Sequence, residues 1–113
     1  MAKDFFGIVL YDIQPDNCLN GIWTNVNNKG EIRNEIARRV STDPANPNDK
    51  IAGSYECSYI EIDNKTYTGT LTITGNIALY NFNWDIRTGI KFEGKGFLMN
   101  DKQIAVSYWP NPS

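Results

Sequence analysis

The stretch LNGIWTNVNNKG, residues 19–30, decides how the chain is read. Leu19, Gly21, Trp23 and Asn25 alternate with Asn20, Ile22 and Thr24, the period of two that sends successive side chains to opposite faces of a strand. The Asn-Lys-Gly that follows is turn chemistry. A glycine inside a strand weakens it unless it supplies a bend or room for a neighbouring ring. Gly21 beside Trp23 therefore poses a choice: a strand packing a core, or one wall of a small-molecule site.

The same arrangement recurs outward from this segment. Gly53, Tyr55, Cys57 and Tyr59 share one parity, and Tyr67, Gly69, Leu71 and Ile73 another, opposed by threonines. Tyr80, Phe82 and Trp84 alternate with Asn81 and Asn83. Ile90, Phe92, Gly94, Gly96 and Leu98 leave Lys91, Glu93 and Lys95 outside. Strands are expected near 5–11, 19–25, 51–62, 67–74, 77–85, 90–99 and 103–109, joined by hairpin-length turns such as DNKT, TGN, IRTG and MNDK. The segment EIRNEIARRV, 31–40, fits two readings. Ile32, Ile36 and Val40 fall at helical spacing, with Glu35 four residues before Arg39. The same residues share one strand face, and the preceding turn favours a hairpin partner for 19–25. Counting it as a strand gives an all-β, antiparallel up-and-down barrel of about eight strands, the number that just fills its interior or holds one small ligand; the other reading leaves one short helix at 31–40. Glycines aligned with bulky rings favour a tightly coiled barrel over a flat sandwich. One domain over 1–113 is expected, with a Pro/Asn/Asp loop at 41–50 and a tail at 110–113.

Composition removes several functions. With 41% hydrophobic and 21% charged residues the chain has the makeup of a folded globular domain rather than a disordered segment. A formal net charge of −2 offers no field for nucleic acid or an anionic membrane surface, and neither is expected as a partner. The basic residues Arg33, Arg38 and Arg39 are interleaved with Glu31 and Glu35 and read as a solvated face. No stretch approaches the ~20 apolar residues of a membrane span. The run FFGIVLY reads as a first strand rather than a leader, making the cytoplasm the default location. Cys18 and Cys57 read as free thiols, a disulfide being the alternative.

There is no histidine, which removes Ser-His and Cys-His nucleophile pairs and most zinc sites. No phosphate-binding fingerprint is present, and neither cofactor nor metal is expected. Asp12, Asp85, Glu56 and Glu93 are the candidates for carboxylate acid–base work, but alternation places both glutamates outside and both aspartates at strand ends. Catalysis is not expected.

LNGIWTN resembles the Gly-x-Trp-x-Asn opening of avidin-type strands, and IAGSYECSYI is similar to their following Gly-x-Tyr segment. YNFNWDIRTGIKFEGKGFLMNDKQIAVSYW resembles the later strands of the avidin and lipocalin group of calycin-type barrels, and of uncharacterised bacterial domains of this kind. The resemblance implies a ligand at one barrel mouth, with Asn25 and Tyr55 giving hydrogen bonds and Trp84 and Trp109 stacking. Here a strand precedes the Gly-x-Trp segment, and Asn27 and Asn28 stand where the family has a loop serine, so the resemblance carries architecture and a mouth site but not biotin. The expected function is a non-catalytic small-molecule-binding barrel. Trp23, Asn25, Tyr55, Tyr80, Trp84 and Trp109 are the expected ligand-binding residues. The alternative is an interaction or structural module whose rings fill the barrel, with outward Ile22, Phe97 and Trp109 pointing to a dimer.

Overall fold

A computed structural model describes residues 5–16, 18–28, 30–61, 63–76, 78–87 and 89–111, the side chains at 76 and 87 aside. Among these the chain is all-β, with no helix. Eight strands follow in order: β1 Gly7–Ile13, β2 Cys18–Asn25, β3 Arg33–Thr42, β4 Gly53–Ile60, β5 Thr66–Asn76, β6 Leu79–Arg87, β7 Ile90–Asn100 and β8 Gln103–Pro110. Each pairs antiparallel with the next, and β1 pairs with β8, Val9 opposite Val106, to shut the barrel. Closure leaves no sheet edge open to another chain. The expected strand limits at Ile62 and Ile77, residues 1–4 and the last two tail positions lie outside the described residues.

The strand reading of 31–40 holds, and β3 runs on to Thr42, shortening the expected loop at its start. Its facing reverses one expectation. Antiparallel partners point to the same side of a sheet, and the β2–β3 register sets Gly21 against Glu35 and Leu19 against Ala37. Because Leu19 and Gly21 face the core, Glu35 and Ala37 must as well. Glu35 is thus buried, at 8% exposure, and Arg39, four residues on along the same face, is half-buried at the other end of the barrel. Ile32, Ile36 and Val40 face outward and are more than half exposed. Only part of the expected solvated face remains outside: Arg38 pairs with Glu56 at 2.6 Å, both well exposed.

Inside, the rings form a column. Tyr11 stacks on Phe82 (6.1 Å between centroids), Phe82 on Trp84 (5.6 Å), and Trp84 lies tilted against Tyr108 (5.6 Å). Two interior glycines make that column fit. A β-carbon on Gly21 would sit 2.8 Å from Tyr11 Cε1, and one on Gly94 would meet Ser107 O at 2.4 Å with Trp84 and Tyr108 at 3.2 Å. The missing side chains are the space the rings occupy, as the alternation of glycine and aromatic residues implies. Cys18 and Cys57 are free thiols.

Candidate functional site

The ends of the barrel differ. At one, residues 43–52 fold back as a plug. Ile51 and Ala52 are buried, and the Asp49 carboxylate accepts their two backbone N–H groups at 2.7 and 2.9 Å. Tyr80 Oη donates to the same carboxylate at 3.0 Å, and Tyr55 Oη donates to the Ile51 carbonyl at 2.6 Å. Arg39 donates to the carbonyls of Asp49, Lys50 and Ala52. Burial pushes the Tyr55 phenol up to about 12 and raises Tyr80 further, Asp49 adding to the second. Both phenols are spent on closing this end.

The other end opens onto a cavity of about 60 Å³. Trp23 and Asn25 come to it from β2, Trp84 and Ile86 from β6, Phe92 from β7, Tyr108 from β8 and Val9 from β1. Tyr59 lines it from β4, Glu61 from just beyond that strand, and Glu35 from β3. Asn25 is half-buried at the end of its strand. Its amide Nδ2 donates to Tyr108 Oη at 3.1 Å and its Oδ1 accepts the Asn27 N–H at 2.9 Å. The Trp23 indole donates to the Asn34 carbonyl at 3.3 Å and lies edge-on to Tyr59.

Glu35 is the one carboxylate buried among these rings. Tyr11 Oη donates to its Oε2 at 2.6 Å. Burial pushes the Glu35 carboxyl up to about 7, and hydrogen bonding from Tyr11 and Trp84 pulls it back only in part. Its charge acts on its neighbours: the Cys57 thiol is raised to about 12 by burial and then by Glu35. Burial likewise raises Tyr108 to about 12, against the Asn25 hydrogen bond. The arrangement can stack a flat group, bond a polar one and present a carboxylate whose proton is exchangeable near neutrality.

Of the residues singled out from sequence, Trp23, Asn25 and Trp84 meet at this mouth. Tyr55 and Tyr80 sit at the plugged end. Trp109 lies on the outer face, its indole donating to Glu93 at 2.8 Å, because the adjacent Tyr108 takes the inward position. Glu56 and Glu93 face outward as alternation implies. Sequence reading missed Glu35, Tyr11, Tyr59 and Tyr108. Tyr59 shares a parity with Tyr55 and Cys57, and Tyr108 has the parity opposite to the outward Trp109, whereas Glu35 needed the β2–β3 register. Among the described residues no group of three His, Cys, Asp or Glu could hold a metal ion. Comparison with protein-family models, curated proteins and solved structures finds no match.

Proposed function

We propose that this protein is a non-catalytic small-molecule-binding barrel whose ligand enters the open mouth, stacks against Trp23 and Trp84 and is oriented by Asn25. The observation that carries this reading is the aromatic cavity with the buried Glu35 carboxylate on its lining. A buried carboxyl costs stability, and the hydrogen bonds that Tyr11 and Trp84 give Glu35 offset its burial only in part. The cavity is well below the ~300 Å³ at which drug-sized pockets begin. It encloses a head group, and the remainder of the ligand extends into the mouth. Of the residues the resemblance implies, Asn25 and Trp84 line this mouth, whereas Tyr55 and Trp109 lie away from it.

A second reading, docking to another protein or a second copy, draws on the outer wall. Ile8, Ile22, Ile32 and Phe97 are all at least 45% exposed and border one shallow depression over β1, β2, β7 and β8. Native mass spectrometry of protein purified from its own host separates the two. Retained small mass, lost when Trp84 is replaced by Leu, is the outcome expected. A dimer mass with no adduct overturns the binding reading in favour of the second.

A further inference from the structure

We propose that the pocket takes the protonated head of a small organic amine, seated on Glu35 and enclosed by the faces of Trp23, Trp84 and Tyr108. The inference rests on the binding reading and names the chemical class of the ligand.

Charge balance carries it. The ion pairs among the described residues are Arg33–Glu31 and Arg38–Glu56, and neither includes Glu35. The terminal nitrogens of the cations nearest in sequence bond elsewhere, Arg33 to Glu31 at 3.4 Å and Arg39 to three backbone carbonyls of the plug, while the Nε of each is buried without a partner. An ionised Glu35 therefore sits in a low-dielectric pocket without a countercharge, more than nine-tenths buried, with two neutral donors, the Tyr11 phenol on Oε2 and Trp84. A ligand cation supplies the missing charge. The walls fit the same ligand, because ring faces attract cations and do so more strongly where water is excluded. Glu61 adds a second carboxylate at the rim, on the same side as the opening. An anion would meet two carboxylates and the negative faces of three rings.

The groups that face Glu35 set its titration. They are Tyr11 from β1, Tyr59 and Cys57 from β4, Trp84 from β6 and Tyr108 from β8, with Arg33 and Arg39 on its own strand and Glu61 at the rim. Among the described residues β2, β5 and β7 turn no Asp, Glu, Lys or Arg inward. Tyr11, Cys57 and Tyr108 are all raised by burial and stay neutral at physiological pH. Glu35 is then the group whose ionisation changes near neutrality, and it must be ionised to hold a cation. Affinity for an amine should rise about tenfold from pH 6 to pH 8 and then level off, while a neutral ligand of the same shape shows no such rise.

The test is a titration of the full chain with benzylammonium, benzyl alcohol and benzoate. It is followed by calorimetry and by the indole N–H resonances of Trp23 and Trp84, in wild type and in Glu35→Gln. Expected are benzylammonium binding at least tenfold tighter than benzyl alcohol above neutrality, the rise with pH, and loss of both in Glu35→Gln. The wild-type pH profile stands even if the variant folds poorly. Equal or tighter binding of the alcohol or of benzoate at the mouth overturns the amine inference and leaves the pocket. If none of the three probes perturbs either indole at millimolar concentration, the pocket and the amine fall together.

Discussion

The plugged and open ends of the barrel each set a carboxylate against a tyrosine hydroxyl, Asp49 half-buried and Glu35 buried, yet they use it differently. At the plug, Asp49 accepts from two backbone N–H groups of its own loop and from Tyr80 of β6, so one side chain ties the loop's turn to the barrel wall. At the mouth, Glu35 accepts from Tyr11 and lines a cavity. Asp49 completes a surface that would otherwise leave backbone groups unsatisfied. Glu35 satisfies no backbone group in return for its burial. A carboxylate that organises the chain and one that faces a space are separable by what happens when each is removed.

The largest expected effect is at the plug. Asp49→Ala leaves two backbone donors and a phenol without their acceptor, and hydrogen bonds to a charged group contribute about 1.5–3 kcal/mol each. Those bonds share one loop and are not additive, so a loss on the order of 4 kcal/mol is expected, read as a lower urea midpoint. The mouth, at the far end of the ring column, should keep its indole resonances unchanged. If they shift as much as the plug does, the two ends are not independent.

Glu35→Gln should act in the opposite direction and only at higher pH. A carboxyl whose folded pKa lies above its unfolded one holds its proton more tightly when folded. Its stabilising share is complete below the unfolded value of 4.5 and is lost as pH rises through about 7. At 1.36 kcal/mol for each unit, the wild type gives up about 3 kcal/mol across that window. The amide oxygen of the replacement still accepts from Tyr11 and carries no charge. The variant should match wild type near pH 4 and exceed it by about 3 kcal/mol by pH 8, measured as the difference between paired urea titrations. A variant less stable than wild type at pH 8 would make Glu35 an organising group like Asp49 and break the contrast.

Much of this architecture was legible before any coordinates, and the illegible part has a single cause. Alternation placed Trp23, Tyr59, Phe82 and Trp84 inside, because their strands carry one apolar and one polar face. β3 carries apolar residues on one parity and Glu35, Ala37 and Arg39 on the other, so hydrophobicity assigns its faces the wrong way round. Only the β2–β3 register, which seats Glu35 opposite Gly21, settles it. The position of a residue along its strand was also hidden. Tyr55 and Trp23 both face inward on strands that run the same way, but Tyr55 lies near the start of β4 and Trp23 near the end of β2, so one reaches the plug and the other the mouth. Tyr108 and Trp109 are neighbours of similar character, and parity alone decides which one reaches the mouth cavity.

The smallest expected effect tests the mouth directly. Asn25→Ala removes a donor to Tyr108 and the acceptor that caps the Asn27 N–H. Asn25 is only half-buried, so water can take over part of both roles, and the cost should be about 1 kcal/mol, well below that at the plug. The Tyr108 phenol, at 8% exposure, is left without the Asn25 donor that favours its ionised form. Its pKa, already near 12, should rise further in a spectrophotometric titration. Binding should suffer more than folding, because the polar group that orients a ligand at the rim has gone while the ring walls stay. A several-fold loss of affinity beside a small stability change marks a site. If instead Asn25→Ala destabilises the barrel as much as Asp49→Ala does, the mouth is a second plug, its polar groups are there to close the chain, and the cavity beneath is a packing remnant.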